Sequence, residues 1–161
     1  MKKLLALLLV LSSLFALASC TSPEDEEPTS EGFIFEPVSD GYAIVGLTEE
    51  AKTAKTLEIP LEYEGKGVIV IAANAFSGSA VEKIIITEDT NIRKLENGAF
   101  AGASHLSALY IYQSDEESIL PPDNFTGTNK DFFVIYVPEG SYYDTGYFWS
   151  KFADMIEFIG E

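Results

Sequence analysis

The sequence predicts a β-rich α/β solenoid, a short stack of coils that share one core. Three observations predict it. The same frame recurs at offsets of 24 and then 25 residues: Ile71 with Ala75-Phe76-Ser77-Gly78, Leu95 with Ala99-Phe100-Ala101-Gly102, and Leu120 with Asn124-Phe125-Thr126-Gly127. After each phenylalanine the apolar columns stay aligned: Val81, Leu106 and Phe132, then Ile84, Leu109 and Ile135, then Ile86, Ile111 and Val137. The triplets Ile84-Ile85-Ile86 and Leu109-Tyr110-Ile111 have strand alternation, with the first and third residues inward and the middle one outward. A unit of this length cannot bury its own apolar face, so each coil must stack on the next.

The chain opens on a basic Met1-Lys2-Lys3, followed by an apolar run from Leu4 to Leu17. The run is too short for a membrane span, which takes about 20 residues, and has the length of a signal-peptide core. It ends in Leu17-Ala18-Ser19-Cys20, which resembles the bacterial lipobox. That resemblance implies cleavage after Ser19, a diacylglycerol on the thiol of Cys20, and attachment to the membrane through the lipid. Residues 1–19 thus read as a lipoprotein signal peptide. Residues 20–32 read as the lipidated cysteine and a disordered tether: Glu24, Asp25, Glu26, Glu27 and Glu31, with Pro23 and Pro28, leave too little apolar surface to offset ordering entropy. The acidic run beside Cys20 is similar to the export signals of surface lipoproteins. It implies a lipid-anchored place in a bacterial cell envelope, at the outer membrane or cell surface.

Residues 33–161 read as the repeat domain with its caps. Gly32 to Pro37 and Asp40 to Leu47 form a hairpin-like N-terminal cap, with Asp40-Gly41 as turn chemistry. Leu57-Glu58-Ile59-Pro60, ahead of Val68-Ile69-Val70-Ile71, reads as an earlier partial copy, and Gly65-Lys66-Gly67 as a hairpin turn. In each full copy the phenylalanine plugs the coil interior and the glycine after it serves where a positive φ is needed. The strand triplets form a parallel ladder, one strand per coil. Tyr147 to Phe158 places Phe148, Phe152, Met155 and Ile156 at helical spacing, which predicts a capping helix between about residues 144 and 158. Tyr142, Tyr143, Phe148 and Trp149 read as packing for this cap rather than as a sugar-stacking patch.

A period near 25 residues falls within the range of leucine-rich repeats, so the array is read as a short right-handed leucine-rich-repeat solenoid. Asn74-Ala75-Phe76, Gly98-Ala99-Phe100, Leu57-Glu58-Ile59-Pro60 and Ile135-Tyr136-Val137-Pro138 resemble the BspA-like bacterial leucine-rich repeats. The segment Val137 to Ser141, with Tyr147, Trp149, Phe152 and Ile156, is similar to the terminal segment of such arrays. The third copy departs from the pattern at Pro121-Pro122-Asp123-Asn124 and at Phe132-Phe133. The resemblance implies a binding module, used in adhesion or host contact.

The 161 residues hold 26 acidic and 10 basic side chains, one Cys and one His, for a formal charge of −16. That charge argues against nucleic acid as a partner, since phosphate recognition needs clustered Lys and Arg. One Cys excludes a disulfide framework and a Cys-rich zinc site, and one His excludes multi-His metal centres. His105 lacks a nucleophile to activate and reads as an exposed turn residue. Asp115-Glu116-Glu117 lacks the alternating spacing of a calcium loop and reads as solvated. Asn124-Phe125-Thr126 has the glycosylation triplet without the context that would use it. No enzyme, cofactor or metal is expected. The candidate partner-binding residues are Ile85, Tyr110 and Tyr136, in a row on the outer sheet face, with Tyr112 near its edge. They imply non-covalent binding of a protein or glycan on the repeat face. The alternatives are an accessory that docks to another envelope protein of the same cell and, more weakly, a carbohydrate-active or hydrolase-associated subunit.

Overall fold

The computed structural model describes residues 29–115, 118–129 and 131–160. Cys20, the signal peptide and all of the tether before Thr29 lie outside them.

The chain is β-rich, with a solenoid-like stack of parallel strands and little helix. It begins with β1 (Phe33–Val38) and β2 (Gly41–Leu47), an antiparallel hairpin. The turn lies one residue earlier than the Asp-Gly pair suggests, because Gly41 already pairs with Val38. A side chain on Gly41 would run into the carbonyl of Gly67, so close approach, not the turn, requires glycine there. Then come β3 (Thr56–Glu58), the hairpin of β4 (Glu62–Tyr63) and β5 (Lys66–Ile71), β6 (Lys83–Ile86), β7 (Lys94–Leu95), β8 (Ala108–Ile111), β9 (Val134–Pro138) and β10 (Ile156–Ile159).

Two ladders run along the stack. The first is the expected one, an all-parallel sheet in the order β10-β9-β8-β6-β3, and it includes the predicted partial copy at β3. Leu57, Ile84, Leu109, Ile135 and, two positions further on, Ile86, Ile111 and Val137 are buried, as strand alternation predicts. The second ladder gives each coil another short strand, beyond the single strand expected. It uses the first column of the repeat: β5 pairs with β7 at Ile71–Leu95, and Leu120 bridges in parallel to Lys94.

Between the ladders lies a column of aromatic rings. Phe76 stacks on Phe100 with centroids 5.7 Å apart, and Phe100 stacks on Phe125 at 5.5 Å. Each such pair adds about 0.5–1.5 kcal/mol beyond its buried area. Two of the glycines that follow, Gly102 and Gly127, mark close approaches between coils. Gly127, at φ +103°, leaves no room for a Cβ, which would lie 2.6 Å from the amide nitrogen of Gly102 and 2.9 Å from the carbonyl of Phe100. Ser79 and Thr128 close the same turn by donating to the carbonyls of Phe76 and Phe125 at 2.8 and 2.9 Å.

Two expectations need correction. Phe132 is 71% exposed, and Phe133 is buried in its place, 5.1 Å from the ring of Phe125. The reason is phase: Phe133, just before β9, and Ile135 and Val137 within it alternate inward, and Phe132 is out of step. The capping helix between residues 144 and 158 is not formed. A 3-10 helix, Ser150–Met155, leads into β10, which pairs in parallel with β9 from Ile156 to Ile159. The open edge of β9 offers that segment a row of backbone partners, and a strand takes them where a helix does not. The cap still closes the core, through buried Tyr143, Trp149 and Phe152.

Candidate functional site

Strand register collects the predicted partner-binding residues. Ile85, Tyr110 and Tyr136 are cross-strand neighbours on the outer face of the all-parallel sheet. The same row continues to Glu58 at one end and Glu157 at the other, two carboxylates the sequence reading left out. Their place follows only from the pairing of β3 and β10. Tyr112 stands at the next outward position after Tyr110, 42% exposed, its ring 6.2 Å from that of Tyr110 and within 18° of parallel.

The rings stand on edge. Tyr110 stacks on Tyr136 with centroids 4.6 Å apart, close to the spacing between strands. On the side of β6, the Lys83 ammonium lies 5.4 Å from the Tyr110 centroid. Both faces of Tyr110 are therefore occupied within the sheet, and edges and hydroxyls are what it presents. Partial burial raises the pKa of Tyr110, helped by Tyr136, Tyr112 and Glu157. Its hydroxyl stays protonated at neutral pH and can both donate and accept.

Beside the strip, at the carboxyl ends of β8, β9 and β10, lies a cleft of about 860 Å³. Tyr112, Pro138 and Ile159 give it an apolar wall, and Gln113, Glu88 and Glu139 bring acceptor oxygens. Its position follows from the coils: the loop after β8 and the turn after β9 leave the sheet at the same end. The C-terminal cap holds the main chain at Gln113 and Ile119. The Tyr143 hydroxyl donates to the Gln113 carbonyl at 2.9 Å, and the Trp149 indole donates to the Ile119 carbonyl at 2.8 Å. Gln113 Nε2 donates to the Thr90 carbonyl at 3.0 Å, which orients the amide. Its Oε1 is buried and has no hydrogen-bond partner among the described residues. No sequence pattern marks this cleft, because its walls come from four separate stretches of chain.

Tyr143 and Trp149 are in the core, as cap packing requires, while Tyr142 and Phe148 are exposed. A second aromatic cluster sits on the N-terminal hairpins. Phe35 stacks on Tyr63 at 4.2 Å, and Tyr42 meets Tyr63 edge-on at 5.0 Å and donates to Glu64 at 2.8 Å. These rings satisfy one another. His105 is exposed in its turn. Asn124 accepts from the amide of Thr126 at 3.0 Å and serves the turn itself. Among the described residues there is no group of three His, Cys, Asp or Glu side chains placed to hold a metal, and no helix long and apolar enough to cross a membrane. No protein-family model matches the chain, and a search of curated proteins finds no match.

Proposed function

We infer that this chain is a bacterial envelope lipoprotein, held by a lipid on Cys20, that presents a short BspA-like leucine-rich-repeat solenoid for non-covalent binding of a protein or glycan partner, with no catalysis of its own. The reading of the anchor rests on Leu17-Ala18-Ser19-Cys20 and the apolar run before it. Support for the repeat type comes from the spacing near 25 residues and from the phenylalanine that plugs each coil.

One observation carries the binding role: Tyr112, Tyr110 and Tyr136 form a continuous aromatic strip on an open sheet face, between Ile85 and Glu157. Aromatic anchors that are already ordered lose little entropy when a partner covers them. Cross-strand stacking alone would also account for a tyrosine pair, so the test must separate binding from stability. Changing both Tyr110 and Tyr136 to Ala is expected to abolish capture of the partner in pull-downs from candidate host or envelope extracts. The melting temperature should fall by only a few degrees, since about 0.5–1.5 kcal/mol of stacking is lost. Capture that survives the double change would remove the strip from the binding role. For the anchor, Cys20→Ala should end palmitate labelling and membrane association, and protease shaving of intact cells reports the side on which the solenoid is displayed.

A further inference from the structure

We propose that the aromatic strip docks an extended segment of a partner protein that carries basic side chains at both ends of a short apolar stretch. The proposal rests on the binding-module reading above and names the chemistry of its partner.

The row through the strip is apolar in the middle and acidic at both ends: Glu58, Ile85, Tyr110, Tyr136 and Glu157 are successive neighbours in register. The strands of this sheet carry one other charged residue, Lys83, and its ammonium is already placed over the Tyr110 ring. Neither Glu58 nor Glu157 is in an ion pair among the described residues. Glu88, Asp115 and Glu139 line the cleft next to Tyr112 and deepen the negative potential on that side. A partner therefore gains most by bringing cations to the two ends of the row. A second copy of this chain would bring the same carboxylates and a formal charge of −16, and is repelled.

The rings decide between protein and glycan. A pyranose stacks on the face of an aromatic ring, and at Tyr110 both faces are taken, by Tyr136 and by Lys83. Ring edges, hydroxyls and the Ile85 side chain remain, and these suit apolar side chains and main-chain polar groups. Spacing sets the length of the segment. Four strand spacings of about 4.8 Å separate Glu58 from Glu157, about 19 Å in all. An extended chain lying across the strands covers that distance in about six steps of about 3.3 Å. Its alternate side chains face the sheet. Basic residues at its two ends then reach the glutamates, and the apolar residues between them cover Ile85, Tyr110 and Tyr136.

The test is ligand-observed NMR with the full chain in nonionic detergent at low salt, with detergent alone as the blank. The probe is the peptide Lys-Thr-Leu-Thr-Leu-Thr-Lys, and its control has Glu in place of both Lys. Broadening of the leucine methyl signals should report a Kd below about 1 mM for the basic peptide and no binding of the acidic one. About 0.5 M NaCl should weaken the complex severalfold. Glu58→Gln and Glu157→Gln should each weaken it about two- to fivefold, and Glu62→Gln, on the other ladder, should leave it unchanged. No binding, equal binding of both peptides, or binding unchanged in both of the first two variants would each overturn the proposal. Retardation in native gels cast with mannan or glucan, or self-association of the chain, would overturn it as well if either is lost when Tyr110 and Tyr136 become Ala, because the face then belongs to a glycan or to a second copy. Failure of the two readings is distinguishable. If the basic peptide does not bind while the Tyr110 and Tyr136 double variant still loses its partner, the strip stands and its partner is not basic. If the double variant keeps both partner and peptide, the strip itself falls.

Discussion

The buried hydroxyl of Tyr143 donates to the main-chain carbonyl of Gln113, 2.9 Å away and thirty residues earlier in the chain. Six residues beyond Tyr143, Trp149 does the same for Ile119 at 2.8 Å. The C-terminal cap therefore does two jobs. It hides the last apolar face of the stack, and it holds the main chain at Gln113 and Ile119 near the cleft. Tyr143→Phe removes one hydroxyl without emptying the core, and it should lower stability by about 1 kcal/mol. Trp149 is the sole tryptophan, so urea unfolding followed by its fluorescence reads the change directly. An unaltered midpoint would mean that the bond contributes nothing.

The phase of β9 makes a sharp pair of predictions. Phe133→Ala should cost about 3–5 kcal/mol, as a buried ring against Phe125 is lost. Phe132→Ser should stay within about 0.5 kcal/mol of the native protein. Thermal or chemical denaturation of the two variants decides the matter, and equal losses would contradict the alternation.

Gly78 and Gly127 occupy the same place in their repeats, both with positive φ. Gly78 has open space where a Cβ would go, whereas Gly127 faces the backbone of the preceding coil. Gly78→Ala should therefore cost only the left-handed backbone penalty, about 1–2 kcal/mol. Gly127→Ala should cost clearly more, because the coils have to move apart. A difference near zero in denaturant midpoints would show that the stack yields easily at this corner.

Burial raises the pKa of Tyr110 above 10.0, the ordinary value for its phenol. The folded state then holds this proton more tightly than the unfolded chain does. The resulting stability is fully present below about pH 10 and is lost as pH rises through the folded pKa. Tyr110→Phe should flatten the alkaline limb of a stability–pH curve, and phenolate absorbance should show one fewer late-titrating tyrosine. An identical alkaline limb in the variant would assign the loss to other groups.

The ladder was legible in the sequence because its signal is local. Ile84-Ile85-Ile86 and Leu109-Tyr110-Ile111 state their own period, and the phenylalanine columns state the repeat. From these the row Ile85, Tyr110, Tyr136 followed by register alone. What escaped depended on neighbours. Ile156–Ile159 has an apolar spacing that suits a helix turn or a strand, and only the open edge of β9 decides between them. Phe132 and Phe133 are chemically equal, so their order is settled by where β9 begins. The second ladder uses strands as short as Lys94–Leu95, below what periodicity can detect. The cleft was invisible for a further reason: Glu88, Gln113, Glu139 and Ile159 meet only once the coils are stacked.

The isolated bridge from Thr29 to Leu57 has a bearing on reach. Thr29 donates to the Thr56 carbonyl at 3.4 Å and accepts from the Glu58 amide at 2.9 Å, so the chain enters the solenoid along the β3 edge. With a lipid on Cys20, the nine peptide steps to Thr29 extend to at most about 32 Å. The five strands from β3 to β10 add about 20 Å. Under the proposed anchor at Cys20, these lengths would limit the solenoid's reach to roughly 50 Å above a bilayer, and a partner would have to come within that layer.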